Sequence, residues 1–192
     1  METVTNYALK EWDMAIQALE RGETIMLLRK GGISEGGTFQ INQNRVLLYP
    51  TFEHQNPTLL KPEYENLVQS VASGWHPESV KISSFAEITD ILSWNNTKNE
   101  SLINSLIKYH IWNQAFIRDR LQYKPHKPLY ILLLRTYKLS QIYDIPYHPS
   151  YGGCRSWIEL QEMISLENIA PVLTQEDYDQ QVSTIHQILQ SS

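Results

Sequence analysis

The sequence has little cysteine and no long apolar run. Cys154 is the single thiol among 192 residues, which excludes an internal disulfide. A lone thiol is typical of a reducing cytosol, so we expect a cytoplasmic protein. No apolar segment approaches the about 20 residues that cross a bilayer, and the first residues lack the basic and apolar regions of a secretory signal. We therefore expect no membrane partner.

The histidines also lack the pairing that metal sites show. The six of them are scattered along the chain, and no two stand at the spacing that is typical of zinc ligands. A chain of this length buries about 70% of its unfolded surface, so folding requires neither a metal nor a disulfide. The sequence therefore predicts no metal site and no cofactor.

Acidic residues are almost missing from one segment. Between Lys108 and Lys138 the chain has seven basic residues and one acid, Asp119, so this basic segment carries +6 while the net charge of the whole chain is −5. From Leu139 onward, Arg155 stands alone against seven acids. Such an imbalance can steer an anionic partner to one face of a protein. The alternative is that these basic residues are solvated surface side chains whose clustering in the sequence is accidental.

Hydrophobic periodicity predicts a mixed α+β fold. Helical spacing predicts helices over Tyr7–Arg21 (ended by Gly22), from Pro62 to about Ala72, over Ala86–Leu92, from Ser101 to about Leu121, and after Thr174. Short apolar or alternating runs predict strands over Thr24–Arg29, Thr38–Ile41, Arg45–Pro50, Ser79–Phe85 and Leu129–Leu139. We expect a strongly bent mixed sheet or a small β-barrel flanked by helices.

The length predicts one globular domain over residues 1–192, since ~100–200 residues per domain is usual. We expect a helix with three strands in residues 1–60 and a central helical part in residues 61–122. A strand, a loop of glycines and aromatics, and a helix would follow in residues 123–192. The polar run Asn95–Glu100 is too short to link two domains.

Two glycine pairs follow two cations in the stretch RKGGISEGGTF, residues Arg29–Phe39. A phosphate-binding loop of the Walker type needs Lys and Ser or Thr after its glycines, at the start of a helix. Here a strand is predicted at that place, which excludes both this loop and a dinucleotide fingerprint. The stretch is better explained as a connection between strands that brings Arg29 and Lys30 to one rim.

Candidate catalytic residues are few. Glu53 and His54 follow the third strand and could act as an acid–base pair, while Cys154 could form a thiolate pair with His148. The alternative is that Glu53 and His54 serve turn chemistry and capping, and that Cys154 is a small buried side chain. A restriction-type nuclease site is not supported, because its nearest imitation, in the stretch ESVK, has the wrong spacing.

A third glycine pair lies in YGGCRSW, after the basic segment and its strand. Aromatic side chains beside an arginine can form a stacking platform for nucleobases, and the glycines permit close approach of a ligand. This interpretation assigns stacking to Tyr151, Arg155 and Trp157. The alternative is that these aromatic residues close the core at the end of a barrel.

Five stretches together resemble a known family: EW, LLRKGGISEGG, LLYPTFEHQ, LLKPEY and YGGCRSW. The chain resembles the bacterial, notably cyanobacterial, domain-of-unknown-function family 1802 over nearly its whole length. The family has no established activity and supplies no catalytic residue. Some relatives are associated with a restriction-endonuclease domain, so the resemblance implies a part in restriction or DNA handling. We expect no such nuclease domain in this chain, which argues against cleavage.

The preferred hypothesis is a non-catalytic module that binds DNA or RNA. Phosphates would be bound by the predicted basic residues Arg118, Arg120, Lys124 and Lys127, with Arg29 and Lys30 contributing from the glycine-rich connection. One alternative is a small hydrolase or nuclease that uses Glu53 and His54. Another is an adaptor that binds a protein partner through the five tryptophans and eleven tyrosines.

Overall fold

The computed structural model describes residues 3–30, 44–68, 70–94, 100–153 and 155–190. Its strands are β1 (Val4–Trp12), β2 (Met26–Arg29), β3 (Arg45–Thr51), β4 (Ser79–Trp94), β5 (Leu129–Pro146), β6 (Trp157–Ser165) and β7 (Ala170–Pro171). Its α-helices are α1 (Asp13–Glu20), α2 (Pro62–Glu65), α3 (Glu100–Leu106), α4 (Gln114–Gln122) and α5 (Gln175–Gln190).

The strands form one mixed sheet in the order β2-β5-β4-β3-β1-β6, and β7 adds to β5. The neighbours β1 and β3 are parallel, whereas the other pairs are antiparallel. Two register shifts interrupt the long pairing of β4 with β5, and such bulges bend a sheet. Among the described strands, β2 and β6 lie at the two edges and do not pair with each other, so the bent sheet is open. The prediction of an α+β fold with a bent sheet is confirmed.

The sheet carries a hydrophobic core on each face. Successive side chains of a strand point to opposite faces, and in β1 Leu9 belongs to the first core and Ala8 to the second. The first core lies between the sheet and α1, α3, α4 and α5. The second core contains Phe85 and Tyr151 and lies on the opposite face. The inner strands are therefore buried on both faces, which removes the polar alternation that marks a half-exposed strand.

The predicted helix over Tyr7–Arg21 is only half correct. Residues 4–12 form β1, which pairs with β3 and β6, and the helix begins at Asp13. The apolar residues of β1 lie on both faces, so a strand produced spacing that also fits a helix. The predicted end is confirmed, because Gly22 has a φ of 72° and its N–H donates to the carbonyl oxygen of Leu19.

Three other helix predictions change. Residues 86–92 are part of β4 and pair with β5, so the predicted helix there is wrong. The single helix predicted from Ser101 becomes α3 and α4, because the Asn113 side chain caps a new helix by accepting from the Phe116 N–H. The helix predicted from Pro62 is one turn long.

Several other predicted elements form, whereas β6 and β7 were not predicted. β2 and β3 form where they are predicted, and β5 begins at Leu129 as expected but continues to Pro146. Thr174 caps α5 by accepting from the Asp177 N–H at 3.1 Å. The strand predicted at 38–41 lies outside the described residues, as do both glycine pairs of the first glycine-rich stretch. Among the residues that the structure describes, no helix has both the length and the apolarity to cross a membrane.

Candidate functional site

A cleft of about 390 Å³ opens on the first-core side of the sheet, beside the ends of β1 and β2. We call it the cationic cleft. It is lined by Glu11, Trp12, Leu28, Arg29, Lys30, Trp112, Phe116, Arg120, Tyr123, Lys124 and Ser156. These residues come from β1, β2, the segment before β6, and the region around α4. Of the predicted phosphate contacts, the cleft therefore unites Arg29, Lys30, Arg120 and Lys124.

Helix α4 supplies one wall of this cleft through its periodicity. Phe116 and Arg120 stand four residues apart and share one face of α4, and Tyr123 and Lys124 extend the same wall just beyond the end of the helix. The Cζ of Arg120 lies 4.9 Å from the ring centroid of Phe116, and the Nζ of Lys124 lies 5.0 Å from that of Tyr123. Each cation is thus held against an aromatic face of its own segment.

Arg29 is anchored within the protein. Its guanidinium forms an ion pair with Glu11 at 3.2 Å, and both side chains are nearly buried. It also donates to the carbonyl oxygen of Lys10 at 3.2 Å and to the Oγ of Ser156 at 3.1 Å. The charge of Arg29 is therefore offset by Glu11, and its main effect is to fix the end of β2 against β1 and the segment before β6.

Three other cations of the cleft have no carboxylate partner among the residues that the structure describes. Within the described ranges, no Asp or Glu oxygen lies at ion-pair distance from Lys30, Arg120 or Lys124. Burial lowers the pKa of Lys30 and, with some compensation from Glu11, that of Arg120. Desolvated positive charges without a counter-ion favour the binding of an anion.

The polar groups of the cleft are mostly hydrogen-bond donors. Trp112 is 2% exposed, and its indole Nε1, which can only donate, has no hydrogen-bond partner in the described part of the chain. Guanidinium and ammonium groups are likewise donors without acceptor capacity. The Glu11 carboxylate is already occupied by Arg29 and by the Trp12 N–H. The cleft therefore fits a ligand that is rich in acceptor oxygens.

A second concave site lies on the second-core side of the same sheet end. This aromatic pocket has a volume of about 270 Å³. It is lined by Lys10, Tyr49, Pro50, Thr51, Phe52, Glu53, Gly74, Trp75, His76, Pro77, Val80, Tyr147, Tyr151, Gly152 and Gly153. The stretch around Glu53 and the glycine pair of YGGCRSW therefore do meet in space, although at a different site from Arg29 and Lys30.

The Glu53 carboxylate holds a turn of the backbone. Its Oε1 accepts from the Gly74 N–H at 2.6 Å and from the Ser73 hydroxyl at 3.3 Å. The Gly74 N–H is the main cause that lowers the pKa of Glu53. His54 is exposed, and its Nε2 lies 3.3 Å from the same oxygen of Glu53. The capping alternative also holds for Gln55, which accepts from the Met14 N–H in the first turn of α1.

The predicted stacking residues of YGGCRSW are not assembled into one platform. Tyr151 is 2% exposed in the second core, and its hydroxyl oxygen accepts from the Gln161 N–H. Trp157 packs against the first core, where it stacks on Tyr7 with 5.8 Å between ring centroids. Arg155 is exposed, and Cys154 lies outside the described residues.

The basic segment is divided between different environments. Arg118 and Lys127 are exposed and do not line the cationic cleft. Arg135 is 8% exposed, and its guanidinium donates to the carbonyl oxygens of Leu173 and Thr174 just before α5. One of the charges counted in the basic segment, that of Arg135, therefore stabilises the interior and is not part of a binding surface.

Lys10, which no sequence pattern marked as a functional residue, lies between the two sites. Its Nζ donates to the carbonyl oxygens of Tyr151 at 2.5 Å and Gly153 at 3.0 Å, on the aromatic-pocket side. Its own carbonyl oxygen accepts from Arg29 on the cleft side. The aromatic residues Trp12, Trp75 and Trp112 were also missed. The sequence signals were that Lys10 precedes the EW pair, that Trp12 belongs to it, and that Trp112 lies within the basic segment.

The fold and these two sites define a class: an α+β protein with an open, bent mixed sheet and a donor-rich cleft at one sheet end. The family model described as Domain of unknown function (DUF1802) matches residues 8–184. The chain therefore belongs to this family, which confirms the resemblance drawn from the sequence. No curated protein shows significant similarity to the chain.

Solved structures of the ASCH protein from Zymomonas mobilis and of two of its single-residue variants are similar to this chain in fold. Each comparison covers 92% of this chain and 93–96% of the other, with a TM-score of 0.42 and 13–14% sequence identity. This likeness concerns the fold alone.

Proposed function

We propose that the protein binds single-stranded nucleic acid and that the cationic cleft holds its phosphates. The observation that carries this proposal is the convergence of Lys30, Arg120 and Lys124, none with a carboxylate partner among the described residues, on one cleft. Phosphate oxygens accept hydrogen bonds and carry negative charge, so they complement both the donors and the charge of the cleft.

The aromatic residues of the cleft are the reason that we propose a nucleic acid as the ligand instead of a simple anion. Tyr123 is 54% exposed beside Lys124, so its ring is accessible to a base. Stacking on an aromatic face contributes about 1–3 kcal/mol per base and tolerates any sequence. A site that alternates cations with aromatic rings therefore suits the alternation of phosphate and base along one strand.

The concave shape favours a single strand over a duplex. Proteins that read a duplex insert a protruding helix or β-ribbon into a groove. The proposed site is instead a cleft between α4 and the sheet, which can receive a flexible strand. The family resemblance implies a part in restriction or DNA handling, so preference for single-stranded DNA over RNA would support that link, and preference for RNA would oppose it.

The direct test is fluorescence anisotropy with labelled 12-nucleotide DNA and RNA strands and with a duplex, in salt from 50 to 200 mM. Three phosphate contacts predict a slope of about −2 in log affinity against log salt, since each contributes about −0.7 on a single strand. We expect Lys124→Gln to weaken binding and to flatten the slope by about 0.7. The proposal fails if no strand binds at 50 mM salt.

A matched control comes from the same basic segment. Lys138 is also an exposed lysine, but it lies on β5 and does not line the cationic cleft. We expect Lys138→Gln to leave both the affinity and the salt slope unchanged. Equal losses in the two variants would show that binding reflects general charge instead of the cleft.

A small nuclease or hydrolase is a second hypothesis, and one contact favours it. The Nε2 of His54 lies 3.3 Å from the Glu53 carboxylate, within reach for an acid–base pair. Against it, Gly74 and Ser73 already bond to that oxygen. Denaturing gels of the same oligonucleotides after prolonged incubation separate the two: cleavage that is lost in His54→Asn supports catalysis, and intact strands oppose it.

A further inference from the structure

We propose that the aromatic pocket holds one planar nucleobase, as part of a strand or as a free nucleotide. For a strand, this inference rests on the proposed function. The pocket volume of about 270 Å³ lies just below the about 300–1,000 Å³ of pockets for drug-sized ligands, so it suits a single heterocycle with its sugar.

The walls of the pocket present flat aromatic surfaces. The rings of His76 and Tyr147 stack with 3.5 Å between centroids and 8° between planes. Trp75 is 44% exposed, and its indole meets the Phe52 ring edge-on at 6.0 Å. An exposed tryptophan beside a stacked pair leaves a large apolar surface in water, and a planar base can cover it by stacking.

The segment that contains Trp75 and His76 is held in place through Gly74, the residue before it. Gly74 has a φ of 80°, a conformation that side chains rarely adopt, and its N–H is bound by the Glu53 carboxylate at 2.6 Å. Glu53 therefore acts as a positioning residue. A pocket whose wall is fixed before the ligand arrives loses less conformational entropy on binding.

The opposite wall requires a glycine. A Cβ atom at Gly152 would lie 2.8 Å from the Tyr147 hydroxyl and 3.3 Å from the Pro149 carbonyl oxygen. Because Tyr147 is stacked on His76, its ring cannot move without disturbing that pair. Gly152→Ala should therefore change the shape of the pocket while its φ remains favourable for alanine.

The protein segment between the two sites is short enough for one nucleic-acid strand to reach both of them. Lys10 binds Tyr151 and Gly153 on the pocket side, and its N–H donates to the Ser156 carbonyl oxygen at 2.8 Å. Ser156 itself lines the cationic cleft. The two sites thus lie on opposite sides of the end of β1, and a strand that passes around this end could place phosphates in one and a base in the other.

The test measures the binding of three kinds of probe by isothermal titration calorimetry. The probes are the four ribonucleoside monophosphates, ribose 5-phosphate, which lacks a base, and the 12-nucleotide strand preferred by the wild type. We expect Trp75→Ala to lower the affinity for the strand or for the nucleotides about 10-fold, which is within the range that the loss of one stacking contact explains. Ile142→Ala is the control, since Ile142 is 64% exposed on β5 and does not line the pocket.

A second variant, Gly152→Ala, shows whether an effect of Trp75→Ala comes from the pocket or from that one substitution alone. Gly152→Ala should weaken the same probes as Trp75→Ala, although it leaves every aromatic ring in place. Circular dichroism checks that both variants are folded. If neither variant changes the affinity for any probe, the inference is wrong.

The outcomes also separate this inference from the proposed function. Loss of strand binding in Lys124→Gln, with strand and nucleotide binding both unchanged in Trp75→Ala, would overturn the base pocket and leave the cleft supported. Binding of nucleotides that depends on Trp75, with no binding of any strand, would support the pocket and contradict the cleft. Binding of ribose 5-phosphate as tight as that of the nucleotides would overturn the pocket, because no base would then be recognised.

Discussion

The guanidinium of Arg120 lies over the ring of Phe116, with 4.9 Å between its Cζ and the ring centroid. The two residues are four positions apart on α4, so the helix itself sets this contact. Phe116 is buried and stacks in turn on Trp112 with 4.8 Å between centroids. The first core therefore fixes the position of a cation in the cleft.

Phe116→Leu should reduce nucleic-acid affinity about 3-fold or more, because leucine keeps an apolar side chain but removes the ring that positions Arg120. It should also lower the free energy of unfolding by about 1–2 kcal/mol. Phe85→Leu is the control, since Phe85 is equally buried and stacks on Tyr137 in the second core. A similar stability loss with unchanged affinity in Phe85→Leu would confirm the link. Equal affinity losses would contradict it.

Gln55→Ala should destabilise the fold without affecting the chemistry of either site. The side-chain oxygen of Gln55 accepts from the Met14 N–H at 3.1 Å, and Gln55 is 8% exposed. Its loss leaves a buried backbone donor unsatisfied, which costs about 1–2 kcal/mol. Urea denaturation measures this difference. His54→Asn should stay within about 0.5 kcal/mol of the wild type, because His54 is exposed and asparagine tolerates its φ of 65°.

Arg135→Met should show the opposite pattern to Lys124→Gln within one basic segment. The Arg135 guanidinium is nearly buried, donates to two carbonyl oxygens before α5, and lies 4.9 Å from the Tyr178 ring centroid. Methionine keeps the apolar volume and loses these bonds, so we expect a loss of about 2 kcal/mol in the free energy of unfolding. Nucleic-acid affinity at 20 °C should stay the same. A lower affinity in folded Arg135→Met would mean that the cleft does not account for binding.

Sequence patterns predicted the elements whose signals are local. The strand from Leu129 is a continuous apolar run, the Thr174 cap precedes α5, and Gly22 ends α1; each feature depends on a few neighbouring residues. Residues 7–12 were taken for helix because the core residues of this part of β1 lie on both faces of the sheet. Residues 86–92 were taken for helix because the register shift between Ile88 and Asp90 brings the apolar residues on either side of it to the same core. With apolar residues on both faces, a strand loses its period of two, and pairing partners decide the structure.

The sites could be predicted only in part, because they depend on which segments meet. Charge counting found Arg120 and Lys124 and also included Arg135, whose burial is visible only in three dimensions. Gly152 and Gly153 line the aromatic pocket, whereas the glycine pairs that follow Lys30 lie outside the described residues. Arg29 and Glu53 occupy opposite sides of the end of β1, and no spacing along the chain encodes that separation.

His110 should make the stability fall with decreasing pH. Burial, reinforced by the charge of Lys61, lowers the pKa of His110 from 6.5 to about 3. Between these values the unfolded chain binds a proton at His110 and the folded protein does not. This residue's contribution is therefore complete above pH 6.5 and is lost towards pH 3, by up to about 1.4 kcal/mol per pH unit.

His110→Leu isolates this effect. Neither ring nitrogen of His110 forms a well-aligned hydrogen bond in the described part of the protein, so leucine breaks at most a weak contact with the backbone. We expect unfolding free energies within about 1.5 kcal/mol of the wild type at pH 7.5, and a flatter decline between pH 6.5 and 5. Parallel pH profiles for the two proteins would show that His110 is not buried in its neutral form.

Photochemical cross-linking tests the central claim most directly, because it shows where a bound strand lies. A 12-nucleotide strand with photoreactive thiopyrimidines is irradiated with the protein, and the adducts are located by mass spectrometry. The cationic cleft predicts adducts on peptides that contain Trp12, Trp112 or Tyr123, and their disappearance with excess unlabelled strand. Specific adducts confined to the acidic helix α5, or no competed adduct at all, would contradict the account.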